Sequence, residues 1–172
     1  MTTIYRRMNA TGYEIINTHS YEDLQALNGL HGPSRMNNWT PPRVQRVCAT
    51  RRGGNKPSDL PHSGLAFILR RSAVEALQDI LEAHGELLPL ATNDGVELYV
   101  FNPRFVLDAI DRERSTLEYV PESTTIWVKE YVFIESVIRG IDIFHDTFGY
   151  NLTYFSDRFV ERVKKAKLKG TE

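Results

Sequence analysis

The sequence is poor in what most reactive centres require. Its single cysteine, Cys48, excludes an internal disulfide and any C-x-x-C motif. Beside Val47 that thiol reads as a small core residue. The histidines, His19, His31, His62, His84 and His145, are scattered, none paired at metal-ligand spacing and none in an H-E-x-x-H pattern. No G-x-x-x-x-G-K-[ST], G-x-G-x-x-G or G-x-S-x-G is present, so the phosphate loop, the dinucleotide fingerprint and the nucleophile elbow are all missing. No metal and no cofactor is expected. Apolar runs are short, well below the roughly 18 residues of a membrane-spanning helix, and no membrane association is expected. The opening stretch MTTIYRRMNATGYEII has two arginines without an apolar segment behind them. A secretory signal is therefore not expected, and the cytoplasm is the expected location.

There is little net charge, −1 over 172 residues, but the charge is segregated. Residues 1–71 carry +6, residues 72–155 carry −10 and residues 156–172 carry +3. An acidic middle between basic ends suits recognition of a charged partner. It equally suits a solvated acidic face, or one that pairs with the protein's own basic ends. Direct nucleic-acid binding is not expected, because the sign reverses along the chain where phosphate binding needs a contiguous positive surface.

The clearest local structure runs from Arg71 to Asn102. Ser72-Ala73-Val74-Glu75 has the form of a capping box. Val74, Leu77, Ile80 and Leu81 then recur at helical spacing, with Glu75, Gln78, Asp79 and Glu82 on the other face. The spacing predicts a helix over Ser72–His84 stopped by Gly85, with His84 in its last turn, where an imidazolium suits the helix dipole. Glu86–Leu90 and Val96–Phe101 read as strands around Asn93-Asp94-Gly95.

Elsewhere Tyr13–Asn17 is a strand, Ser20 to Asn28-Gly29 brackets a short helix, and residues 30–40 are irregular. Arg43–Thr50 is extended, with Val44, Arg46 and Cys48 on one side. Arg51–Pro57 is a basic, glycine-containing linker. Leu65–Leu69 is an apolar strand. Asn102-Pro103 reads as an N-cap and first helical position, predicting a short helix over Arg104–Ile110. Ser115–Val120, Thr124–Val128, Tyr131–Ile134, Ile141–His145 and Leu152–Phe155 read as strands, with a helical turn at Glu135–Arg139 stopped by Gly140. Ser156 caps a last helix with an apolar face of Phe159, Val160 and Val163 and a basic face from Arg158 to Lys169. Strands and helices do not alternate as βαβ units, so the expected class is α+β, with a mixed or antiparallel sheet and a few short helices in one domain.

These pieces carry a resemblance. A serine-capped helix, then HGELLPL, then a hairpin ending YVFN is similar to a widespread bacterial family of immunity proteins from polymorphic toxin systems, formerly a domain of unknown function. VLDAIDRERS at 106–115, KEYVFIESVIRGIDIFH at 129–145 and YFSDRFVERVKKAKLKG at 154–170 match as well. The resemblance covers roughly residues 57–170, an immunity-protein-like core over 57–172, and leaves 1–56 as an N-terminal variable part of the same domain. It implies a non-enzymatic protein that binds and neutralises a cognate toxin. Many such toxins are nucleases with basic active sites, which an acidic inhibitor surface would cover. The acidic candidates for that contact are Glu75, Asp79, Glu82 and Glu86, then Asp94 and Glu97, then Asp108 and Asp111, followed by Glu113. Two other functions stay open from the residues. One is a small hydrolase using His145 with Asp146, or an acidic pair such as Asp108 with Asp111. The other is a non-catalytic scaffold subunit of a secretion or toxin system.

Overall fold

Two sheets clamp one helix, and both faces of both sheets are covered. The computed structural model describes residues 3–30, 32–47, 55–64, 66–119, 126–148 and 152–172. Cys48, His31 and the Arg51–Gly54 part of the linker lie outside them. In chain order the elements are β1 (Ile4–Arg6), β2 (Ile15–Thr18), α1 (Tyr21–Asn28), β3 (Arg43–Val47), β4 (His62–Ser63), β5 (Ala66–Arg70) and α2 (Arg71–His84). Then come β6 (Gly85–Pro89), β7 (Ala91–Thr92), β8 (Leu98–Pro103), β9 (Val106–Leu107), β10 (Thr116–Tyr119) and β11 (Ile126–Glu130). The chain closes with α3 (Glu135–Ile138), β12 (Ile143–Asp146), β13 (Thr153–Ser156) and α4 (Asp157–Lys165). A seven-stranded mixed sheet runs β6-β8-β5-β4-β2-β3-β7, a four-stranded sheet runs β1-β13-β12-β9, and β10 and β11 pair only with each other. The class is α+β.

Alternation along the strands explains the layering. Phe67, Leu69 and Phe101 face α2, where they meet Ala73, Leu77, Ile80 and Leu81 together with Ile143, Phe155 and Phe159 from the smaller sheet and α4. Phe67 anchors this cluster, with its ring centroid 5.0 Å from that of Phe155 and 5.9 Å from that of Phe101. On the far face of the larger sheet, Ile16, Val44, Ile68, Leu88, Leu98 and Val100 bury Leu27 and Leu30. On the far face of the smaller sheet, Phe144 and Tyr154 pack with Ala109 and Ile138. Burial on two faces is why AFIL at 66–69 reads as a continuous apolar run.

The helix predicted over Ser72–His84 is present, with Leu77 and Leu81 fully buried and Glu75, Asp79 and Glu82 exposed. Its start differs from the capping-box reading. Arg70 occupies the N-cap without a side-chain bond, and the Ser72 hydroxyl donates to Asp59. Glu75 pairs with Arg71 instead, at 2.9 Å. Gly85 does end the helix, through close approach. A Cβ there would lie 2.3 Å from Asn102 O and 2.5 Å from the Phe101 ring.

Ser20 and Ser156 cap α1 and α4 as expected, accepting from the Asp23 and Phe159 N–H groups. The helix expected over Arg104–Ile110 does not form. Strand β8 continues to Pro103, opposite Gly85 in β6, and the Asn102 amide donates to Pro33 O and Glu86 instead of capping. Val106–Leu107 then pairs parallel with His145–Asp146. Tyr131–Ile134 is likewise not a strand, keeping only the Ile110–Phe133 bridge.

The two ends of the chain are stitched together. β1 pairs antiparallel with β13, Ile4 opposite Ser156. Met8 and Glu172 exchange backbone hydrogen bonds of 2.9 Å each. Gly170 (φ 93°) lies so close to Ser58 that a Cβ would come within 1.9 Å of its hydroxyl oxygen. Among the described residues no helix is long and apolar enough to cross a membrane.

Candidate functional site

On the outer face of α2 the acidic residues meet the protein's own arginines. Arg71 binds Glu75 within the helix and reaches Glu97 at 2.8 Å. These carboxylates, Glu97 first, push the Arg71 pKa up. Asp79 takes a two-pronged bond from Arg162, at 2.8 and 3.0 Å, with Arg158 at 3.6 Å. That guanidinium holds the Asp79 carboxyl below its ordinary range. Part of the basic face expected of α4 is therefore turned onto α2. Glu82 accepts from the Gln78 amide at 2.7 Å.

Two further acidic candidates are built into the fold. Glu86 accepts from the Arg35 N–H, the Ser34 hydroxyl and the Asn102 amide, and so fixes the turn over residues 33–36. Burial opposes its charge, but these donors outweigh it and hold the carboxyl below the usual range. Asp94 binds Arg46 at 2.5 Å and caps its own turn through Val96 N–H. Arg46 continues to Glu14 at 3.0 Å, and Glu14, 3 % exposed, also accepts from Arg70 and the Ser58 N–H. Nothing local in the sequence marks Glu14, because its partners lie 32 to 56 residues away.

The remaining candidates, Asp108 and Asp111, lead into an element of different character. Asp108 pairs with Arg112 at 2.7 Å, and Asp111 accepts from the Glu113 and Arg114 N–H groups. The Asp111 N–H to Val132 O bond then closes the base of the hairpin β10–β11. Leu117 opposite Val128 and Tyr119 opposite Ile126 give this ribbon one apolar face. Glu118 opposite Trp127 gives the other, where Lys129 binds Glu118 at 3.1 Å. None of these apolar residues belongs to the three buried clusters. Tyr119 is 68 % exposed and Trp127 is 50 % exposed. The sequence signal was available in two short strands, TLEY and IWVKE, embedded in acidic flanks. Trp127 was one aromatic among many, and nothing singled out Tyr119.

The groups with catalytic potential are arranged for structure. His145 and Asp146 are neighbours on β12, so their side chains leave opposite faces of the strand. Asp146 is fully buried and accepts from the N–H groups of Ala109, Ile110 and Phe148. Burial nonetheless raises its pKa. His84, Asp142 and Ser156 do meet, but not as a nucleophile relay. The Ser156 hydroxyl donates to Asp142 at 2.6 Å, and Arg158 binds the other carboxylate oxygen at 2.8 Å. His84 Nδ1 donates to Ile80 O, and its Nε2 accepts from the Asp142 backbone N–H at 2.9 Å. That pair of bonds requires the neutral imidazole, not the solvated imidazolium expected from the helix end, and ties α2 to the start of β12. Among the described residues no group of three or more His, Cys, Asp or Glu is placed to hold a metal ion.

Residues 91–172 match the immunity protein family (Imm11). No curated protein matches the chain. The Imm11 segment begins at β7 and takes in β8, the hairpin, the smaller sheet apart from β1, and α4. Asp94, Glu97, Asp108 and Asp111 fall inside it, whereas Glu75, Asp79, Glu82 and Glu86 lie before it. It starts later than the resemblance at residue 57 and leaves out α2.

Proposed function

We propose that this protein is an immunity protein that binds a cognate bacterial toxin and neutralises it by protein–protein contact, with the β10–β11 hairpin as the principal contact element. The observation that carries this reading is the hairpin itself. It lies within the Imm11 segment, pairs with no other strand among the described residues, and exposes Tyr119 and Trp127. Aromatic residues of this kind supply the anchors of protein interfaces. By sequence, residues 105–135 carry a net charge of −4, so the hairpin and its flanks, Asp108 and Asp111 among them, present an acidic rim. Such a rim speeds encounter with a basic toxin such as a nuclease. Glu75, Asp79, Glu97 and Asp94 are satisfied by the protein's own arginines and belong to the scaffold in this reading.

The test is co-expression with the product of the neighbouring gene, followed by capture and a toxicity assay. Wild-type protein should capture the toxin and restore growth. The double variant Tyr119→Ala/Trp127→Ala should fold normally and do neither. Capture unaffected by this variant but lost on Glu75→Lys/Glu82→Lys would move the interface to α2. Turnover by the purified protein that disappears in Asp146→Asn or His145→Ala would replace binding with catalysis.

A further inference from the structure

Arg7 follows the edge strand β1 and carries a charge that no carboxylate among the described residues neutralises. Its Nη1 donates to Pro61 O at 2.7 Å and to Leu60 O at 3.3 Å, its Nη2 donates to Ala66 O at 3.2 Å, and its guanidinium lies 5.5 Å from the Phe67 ring centroid. No carboxylate among the described residues pairs with it. Burial alone lowers its pKa, to about 10, so it stays cationic at neutral pH. A guanidinium has five N–H donors. The three bonds leave the Nε donor and one Nη2 donor open.

Arg7 lines a cleft of about 390 Å³ between the two sheets. Arg6 also lines it, with Asn9, His62 and Thr153, and among the described residues no acidic side chain contributes. Asn9 Oδ1 and His62 Nδ1 are buried there without a hydrogen-bond partner among the described residues. The Asn9 amide can turn either its oxygen or its nitrogen inward, and the His62 tautomer with hydrogen on Nδ1 adds a donor. Phe67, Leu152 and Phe155 form apolar walls. A desolvated, unneutralised cation beside unfilled hydrogen-bonding groups is costly unless an anion supplies the missing partner.

We propose that this cleft binds a small organic carboxylate, with the carboxylate on Arg7 and the apolar body against Phe67 and Phe155. One half-buried cation and neutral donors match a monoanion, and the hydrocarbon walls favour a ligand that is more than an inorganic ion. The probe is benzoate, titrated into ¹⁵N-labelled full-length protein while the Arg7 Nε–Hε signal is followed. The signal should shift saturably, while that of Arg162, already held by Asp79, should stay in place. Benzamide, of the same shape without the charge, should leave Arg7 unmoved, and inorganic phosphate should bind at least about tenfold more weakly. Arg7→Met should abolish the benzoate-induced rise in melting temperature. Because Arg7 also ties down three carbonyls, His62→Leu is the second variant, with binding about tenfold weaker expected from one lost charge-assisted hydrogen bond. No shift at Arg7, an equal shift with benzamide, or phosphate binding as tightly as benzoate would overturn the proposal.

Discussion

Two acidic surfaces of this molecule share a composition and differ in what surrounds them. On α2 and the adjoining strands, Glu75 meets Arg71 one turn back on its own helix, while Glu97, Asp79 and Asp94 each meet an arginine from another element. On the hairpin and its flanks, Asp108 pairs with Arg112 and Glu118 with Lys129, while Glu113 and Glu130 stay exposed, beside Tyr119 and Trp127, on a ribbon that among the described residues joins neither larger sheet. Negative charge along a sequence thus has two physical outcomes. It can be consumed in holding elements together, or it can remain as a field that a partner meets. Only the folded positions of the arginines separate the two.

The comparison can be broken first on the scaffold side. Glu14→Ala should destabilise by about 3 kcal/mol, because it removes the buried carboxylate of Arg70 and one of the two that hold Arg46. Equilibrium urea unfolding measures this, and a loss below about 1 kcal/mol would mean the network is not what joins β2, β3 and β5. Leu77→Ala, in the cluster under α2, should cost about 2–5 kcal/mol by the same measurement. On the hairpin the pattern should invert. Trp127→Ala should change stability by no more than about 1 kcal/mol yet weaken toxin binding by about 2 kcal/mol or more, read by calorimetry. A large stability loss with unchanged affinity would make the hairpin part of the scaffold.

Charge reversal sharpens the contrast further. Glu113→Lys/Glu118→Lys/Glu130→Lys should slow association with the toxin at low salt and have little effect at high salt, since exposed charges act over about 8 Å at physiological ionic strength. Glu75→Lys/Glu82→Lys should leave the association rate as it was. Equal slowing by both sets would point to diffuse net charge and not to a surface. The smallest effect is on acid stability. Glu86 and Asp94 have carboxyls held below their ordinary range. Their contribution is complete above the unfolded carboxylate pKa of about 4 and is lost as pH falls through the lower folded values. Asp146, raised by burial, has the opposite sign, and its penalty relaxes on acidification. Unfolding midpoints of Glu86→Gln/Asp94→Asn should therefore fall less steeply below about pH 4 than those of wild type. Parallel curves would refute that assignment.

What was legible in the sequence was what short stretches decide alone. Ser20 and Ser156 cap their helices because the N–H groups they accept from lie three residues on. The apolar spacing of α2 fixed its buried side for the same reason. Ser72 misled because Asp59, 13 residues away, takes its hydroxyl. Asn102-Pro103 misled because a cap and a strand end use the same residues, and the choice lay with Glu86 and Pro33 across the sheet. The candidate site divided along the same line. The acidic residues were visible, but Arg162 lies 83 residues from Asp79 and Arg71 lies 26 from Glu97. No periodicity or motif encodes such a pairing. The Arg7 cleft was equally invisible, since what defines it is a carboxylate that no element brings near.

The pairing of Ile4–Arg6 with residues 154–156, and of Met8 with Glu172, has a consequence for synthesis. A nascent chain still missing Thr153–Ser156 offers Ile4–Arg6 no strand to join, however long it has waited outside the ribosome. The smaller sheet therefore closes last and over nearly the whole chain, a high-contact-order step that is slow for loops of this length. Until then Phe67 lacks Phe155 and Phe159, two of its three aromatic partners among the described residues. The fold of residues 4–156 is therefore complete only once the segment that carries β13 has been made.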